Sequence, residues 1–212
     1  MLLRSLGQTI LLTLLSLLFA MIIGLIFALM NVGRSRIFNF IGTLYVDAVR
    51  GVPLIVLAYF IYFGIPAGIK SMGIQDFRLT ALSAGTIALA MNCGAYMAEI
   101  IRAGIESVDK GQMEASRRLG LSYGKSMRLV VLPQAIRTMI PSIINQFIIT
   151  LKDTSILSVI AFPELTNTGK TIAGNTFKVL ETWTIVGLMY MIVIIALSKI
   201  AKRIERRVNR GR

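Results

Sequence analysis

Apolar residues in this chain run in long blocks that no charge interrupts. Between Arg4 and Arg34 lie 29 uncharged positions, between Arg50 and Lys70 lie 19, between Arg78 and Glu99 lie 20, and between Glu181 and Lys199 lie 17. A helix needs about 20 mainly apolar residues to cross a bilayer. The pattern therefore predicts four transmembrane helices, at roughly 8–31, 52–69, 79–101 and 182–199. A fifth is less regular. Only 14 uncharged residues separate Arg137 from Lys152, but apolar residues resume at Ile156, Leu157, Val159, Ile160 and Phe162. This span is read as roughly 138–161, with Pro141 near its start and Lys152 and Asp153 inside its length. Unpaired backbone cannot face lipid, so the segment must be helical or line a cavity within protein. The first block is about twice as long as the apolar core of a signal peptide and lacks a small-residue cleavage pattern, so it is read as a span.

Composition agrees with this reading and adds a direction. The chain has 212 residues, 55% of them hydrophobic and 16% charged, with a formal net charge of +13. A soluble domain averages about 25% charged residues, and a disordered chain needs low hydrophobicity; both classes are excluded. A single cysteine and no histidine remove a disulfide framework, a Cys/His metal site and any His-dependent catalytic triad. Neither a catalytic residue nor a metal ligand is expected. Of the 23 lysines and arginines, 17 fall in three segments: 32–50, 102–137 and 199–212. The positive-inside rule assigns those segments to the cytoplasm. Five spans then put the N-terminus outside and the C-terminus inside. With no linker or repeat in view, residues 1–212 read as one all-α polytopic membrane domain.

The segment 102–137 is long for a connector and carries helix signals. Asp109 with Gln112 three positions on resembles a capping box. A short helix can run Lys110–Leu119 and stop at Gly120. Ser122 can cap a second, which continues toward Leu132 and ends before Pro133. Two short helices joined by a glycine form a docking element or a solvated loop.

The residues of this loop resemble a known family. Glu114-Ala115-Ser116, then Gly120 after three residues, then Val130 after nine more, then Leu132-Pro133, is similar to the Glu-Ala-Ala loop of ABC-importer permeases. Ser116 and Val130 are mild departures from Ala and Ile. The stretches Asn92–Ile100, Arg102–Val108, Gly111-Gln112, Leu119–Ser122, Leu151–Ser155 and Arg50–Pro53 resemble the polar amino acid branch of that family. The resemblance implies a type I ABC-importer permease with five transmembrane helices in a bacterial inner membrane. It implies that Glu114, Ala115, Ser116, Arg117, Arg118 and Gly120, with Leu132 and Pro133, form the coupling element for two copies of a separate ATPase, which binds ATP and magnesium. It further implies a second permease copy, a homodimer being the simplest case, and an extracytoplasmic solute-binding protein. No cofactor is expected in this chain. Gly169-Lys170-Thr171 lacks the earlier glycine of a phosphate loop, because Glu164 stands there.

Ionisable residues at membrane depth usually face a cavity. Asn92, Tyr96 and Glu99 recur at i, i+4 and i+7 on one helix face, opposite the small residues Ala90, Gly94 and Ala98. Gln146, Thr150 and Asp153 repeat that spacing, with Lys152 and Thr154 beside them. A zwitterion needs a cation for its carboxylate, for which Lys152 is the candidate, and an anion for its ammonium, for which Asp153 or Glu99 is. A second carboxylate would then suit a basic side chain such as arginine, lysine or histidine. The substrate-binding set is thus Asn92, Tyr96, Glu99, Gln146, Lys152, Asp153 and Thr154. Alternatively, Lys152 only pairs with Glu99 or Asp153 to hold two spans together, or Glu99 snorkels to the cytoplasmic interface. An ion-coupled secondary transporter working without an ATPase is the rival function. Nucleic-acid binding by the basic tail is set aside, since that tail continues a span and suits anionic lipid. The connector at about 162–181, with two acidic and two basic residues, is a candidate landing surface for the solute-binding protein.

Overall fold

A computed structural model describes residues 1–33 and 35–209. Arg34, Arg210 and Arg212, three of the basic residues assigned to the cytoplasm, lie outside the described residues, as does the side chain of Arg207. The described chain is helical throughout: α1 (Leu2–Val32), α2 (Arg36–Gly51), α3 (Leu54–Ser71), α4 (Ala81–Glu106), α5 (Lys110–Arg118), α6 (Tyr123–Ile160), α7 (Leu165–Thr176) and α8 (Val179–Asn209). Five of these, α1, α3, α4, α6 and α8, are long and apolar enough to cross a membrane.

The spans are built inside-out relative to a soluble helix. In α1 the buried face carries mostly small residues, Ser5, Thr9, Thr13, Ser16, Ala20, Gly24 and Ala28, together with Leu12 and Leu17, while Leu14, Leu18, Ile22 and Leu25 are exposed. Lipid is as apolar as leucine, so large side chains gain nothing by turning inward, and small residues let helices approach. Two of the buried hydroxyls are satisfied within the helix: Thr9 and Thr13 donate to the carbonyls four residues back, at 3.0 and 2.7 Å, whereas the Ser16 hydroxyl has no partner among the described residues.

Helix α4 is the central element and packs against α1, α2, α3 and α6. The Gly94 face seats α1 directly. A Cβ on Gly24 would lie 2.5 Å from Met97 Cβ, and one on Gly94 would lie 2.7 Å from Ile23 Cγ2. The small residues Ala20, Gly24 and Ala28 of α1 are therefore spent on packing within one subunit.

Two helices carry π turns, Phe60–Gly64 in α3 and Met127–Val131 in α6. Each ends two residues before a proline, Pro66 or Pro133. Proline lacks an N–H and its ring crowds the carbonyl four residues earlier, so a wider turn relieves the clash. This corrects the expectation of a separate second loop helix ending before Pro133. The helix capped by Ser122 runs on through Pro133 and becomes the fourth span. Its last turns, Thr154–Ile160, tighten into a 3₁₀-helix.

Most of the segment expected to be a cytoplasmic loop is helical: Arg36–Gly51 forms α2, whose Val46 and Val49 are buried. Tyr45 stacks on Phe27 with ring centroids 3.8 Å apart and donates to the carbonyl of Met91 at 2.8 Å. The C-terminal end of α2 is thereby drawn against the middle of α4. The chain breaks at Gly51-Val52-Pro53 before α3 begins, with Val52 extended as a residue before proline prefers.

Candidate functional site

A cavity of about 500 Å³ opens where that break meets α4 and α6. Its polar lining is Arg50, Asn92, Tyr96, Gln146 and Asp153. Gly51, Val52, Pro53 and Leu54 complete the wall, so the chain break lines a cavity, as irregular backbone at membrane depth requires. Four residues of the predicted substrate set thus converge from two helices. Asn92 and Gln146 are buried, at 8% and 6% exposure.

The remaining three go elsewhere. Glu99 lines a second cavity of about 360 Å³ with Asp47, Arg50, Arg102 and Glu106. Arg102 grips Glu99 through two hydrogen bonds, Nε to Oε2 at 3.2 Å and Nη2 to Oε1 at 2.5 Å. Its Nη1 donates to Glu106 at 2.5 Å. Lys152 points away, into a cleft with Ser155, Thr166, Trp183 and Tyr190, because consecutive helical residues diverge by about 100°. It makes no ion pair among the described residues, so the alternative reading, a Lys152 pair with Glu99 or Asp153, has no such pair there. Thr154 is fully buried and lies outside the cavity lining, with its hydroxyl donating to the carbonyl of Leu151 at 2.6 Å.

Arg50 is the residue that sequence reasoning missed. Read from the sequence as a cytoplasmic charge and as part of the family-like stretch Arg50–Pro53, but not as a site residue, it lines both cavities. Its guanidinium lies 5.2 Å from the Tyr96 ring centroid, within cation–π range, and 3.9 Å from Glu99. The available signal was its position immediately before Gly-Val-Pro, where a helix must break beside a span. The alternating charges Glu99, Arg102 and Glu106, at i, i+3 and i+7, were a second signal.

The loop helix is well defined. Asp109 caps α5 through the N–H of Gly111 at 2.6 Å, one position earlier than a full capping box would have it. At the other end Gly120 takes φ +86°, with Leu121 N–H on the Ser116 carbonyl and Gly120 N–H on that of Arg117. That is a Schellman stop, which needs a left-handed residue. Glu114, Ala115, Arg117 and Arg118 face out, as does Gly120. Ser116 is turned inward, its hydroxyl on the Met113 carbonyl at 2.8 Å. Leu132 and Pro133 lie on α6, beyond the π turn against which α5 packs.

Five spans, a capped and exposed loop helix and a polar cavity at membrane depth make up an import permease in outline. Residues 20–210 match the family described as binding-protein-dependent transport system inner membrane component. The chain belongs to this family. The permease is 38% identical over 189 residues to the glutamine transport system permease protein GlnP of Escherichia coli (strain K12), covering 89% of this chain and 84% of that protein. It is 33% identical over 207 residues to the arginine transport system permease protein ArtQ of Bacillus subtilis (strain 168), covering 98% and 92%. Among solved structures, one described as an amino acid ABC transporter with histidines superposes with a TM-score of 0.89 at 37% identity, covering 97% of this chain and 93% of that one. The permease is thus a multi-pass inner-membrane transport subunit of the ABC-importer type and not an enzyme, in the polar amino acid branch that its loop resembles.

Proposed function

We propose that the permease carries a polar amino acid inward through the cavity between Arg50 and Asp153. The observation behind this reading is that a cation and an anion line one cavity with the amides of Asn92 and Gln146. Arg50 takes the substrate carboxylate, the role the sequence suggested for Lys152. Asp153 takes the ammonium, and the two amides meet polar atoms of the side chain. The two cavities together present Asp47, Glu99, Glu106 and Asp153 against Arg50 and Arg102, in a chain of net charge +13. That local acidic excess favours a basic substrate: arginine, lysine or histidine. A neutral amide such as glutamine is the second reading, favoured by Asn92 and Gln146 and by the identity to a glutamine permease.

Energy comes from a separate ATPase, two copies of which bind ATP and magnesium and dock on the outward face of α5 through Glu114, Ala115, Arg117 and Arg118. A second copy of this chain completes the membrane assembly. Its contact cannot use the small residues of α1; the outer half of α3 is the better surface, since Gly68 has open space beside it and Phe60 and Phe63 are exposed. The solute-binding protein approaches from the outer side, where the N-terminus lies.

The test is uptake of labelled arginine into proteoliposomes holding permease, ATPase and solute-binding protein. Uptake should require ATP and be competed by lysine and histidine. Competition by glutamine alone would move the substrate to the second reading, and uptake with the ATPase omitted would overturn the coupling.

A further inference from the structure

We propose that Arg50 is an exchange residue, for whose guanidinium the substrate carboxylate and Glu99 compete. Substrate binding then loosens an ion-pair ladder that leads to the loop helix. This rests on the reading that the 500 Å³ cavity holds the substrate.

Three facts support it. Arg50 lines both cavities, so a ligand in the first reaches the group that borders the second. Its contact with Glu99 is the loosest ion pair of this ladder, 3.9 Å against 2.5 Å for each Arg102 pair. Glu99 also has a better partner in Arg102, so releasing Arg50 does not strand a charge. Arg50 itself would be left short if nothing replaced Glu99, and a substrate carboxylate replaces it in kind. The exchange is thus nearly balanced in charge, the condition under which modest ligand binding can shift an equilibrium.

The ladder continues in a definite direction. Arg102 bridges Glu99 to Glu106, the last residue of α4. Glu106 borders a cleft with Asp109, Lys110 and Met113, at the cap and first turns of α5. A change in how Arg50 holds Glu99 is therefore felt along α4 as a change at the base of the loop helix. Arg50 and Glu99 are positioning residues for this coupling.

The two ends of the ladder give opposite signs on mutation. Glu99→Gln removes the competitor, so substrate should bind more tightly, while Arg102 keeps Glu106. Arg102→Gln leaves Glu99 with Arg50 alone, so substrate should bind more weakly. Partly exposed ion pairs set the scale at about two- to fivefold in each direction. Binding of radiolabelled arginine and glutamine to the permease–ATPase complex in nanodiscs reads the affinity, and substrate-stimulated ATP hydrolysis reads the coupling. Tighter binding with a lower maximal stimulated rate in Glu99→Gln, and weaker binding in Arg102→Gln, is the expected result. Glu99→Asp, one methylene shorter, serves if Glu99→Gln does not assemble, and should also bind more tightly. Wild-type affinity in both ladder variants, with weakened binding in Asp153→Asn, overturns the exchange and leaves the cavity assignment standing. Weaker binding in Glu99→Gln overturns it too, making Glu99 a direct ligand. Unchanged binding in Asp153→Asn and Asn92→Ala as well overturns the cavity assignment itself.

Discussion

Glu164 appears in the sequence as one of four charges in an outer connector, a surface on which another protein could land. It is fully buried. Its carboxylate accepts the N–H of Thr166 at 2.7 Å, the N–H of Asn167 at 2.5 Å and the hydroxyl of Tyr190 at 3.0 Å. It caps α7 and ties it to α8, so it offers nothing to a docking partner. Burial pushes this carboxyl above the usual carboxylate range, against the pull of the N–H and hydroxyl donors. The native state thus holds its proton to higher pH than the unfolded chain does. Stability from this group is full below the unfolded value of about 4.3 and is lost as pH rises through the native value. As pH rises above the ordinary carboxylate range, the melting temperature of the solubilised permease should fall more steeply than that of Glu164→Gln. Equal slopes, or a steeper fall in the variant, would show that the hydrogen bonds outweigh burial. Nothing in the sequence distinguishes Glu164 from Glu181, because burial of a carboxylate depends on the partners that α7 and α8 bring to it.

Between helices, small residues control the distance of approach. Met97 Cβ is fixed to the α4 backbone and cannot swing aside from a side chain on Gly24. Gly24→Leu should cost about 1–3 kcal/mol or more by overpacking. It should lower both the folded yield and the melting temperature, whereas Leu25→Ala, at a lipid-facing position 49% exposed, should change neither much. A stable Gly24→Leu variant would mean that α1 can shift on α4. The sequence showed Ala90, Gly94 and Ala98 as a small-residue face but not which helix packs on it. Helix caps were more legible: Asp109, Gly120 and Ser122 act where local chemistry puts them. The stop expected before Pro133 was not one, because a π turn absorbs the proline, and whether a helix bends around a proline or ends there depends on what it packs against.

Across the whole membrane domain, the proposed orientation sorts charge by side. Helix α8 spans 31 residues, roughly 46 Å at 1.5 Å per residue, longer than a hydrocarbon core of about 30 Å. Its basic end, with Lys199, Lys202, Arg203 and Arg206, therefore projects past the lipid tails. In a background with Cys93 replaced, a cysteine at Lys178 should react with an impermeant maleimide in intact cells or spheroplasts. One at Lys202 should react only after permeabilisation. The reverse pattern would invert the proposed orientation. Arg50 is the exception in this sorting: it belongs to a basic segment by sequence, yet it lines both cavities.

Span number, the capped loop helix and the family resemblance are all properties of short windows. Hydropathy over about 20 residues, a cap and its third neighbour, or a spaced motif do not depend on where the rest of the chain goes. The convergence of Asn92, Tyr96, Gln146 and Asp153 was half legible in this way, as two faces with the same spacing. Which cation meets them was not. Lys152 is adjacent to Asp153 in the chain but leaves on another side of the helix, while Arg50 arrives from a different element. Its arrival depends on α2 docking through Tyr45 and Val46 and on the break at Gly51–Pro53. Charges at membrane depth are assigned by the packing of distant segments, which fixes both the partner and the burial of each.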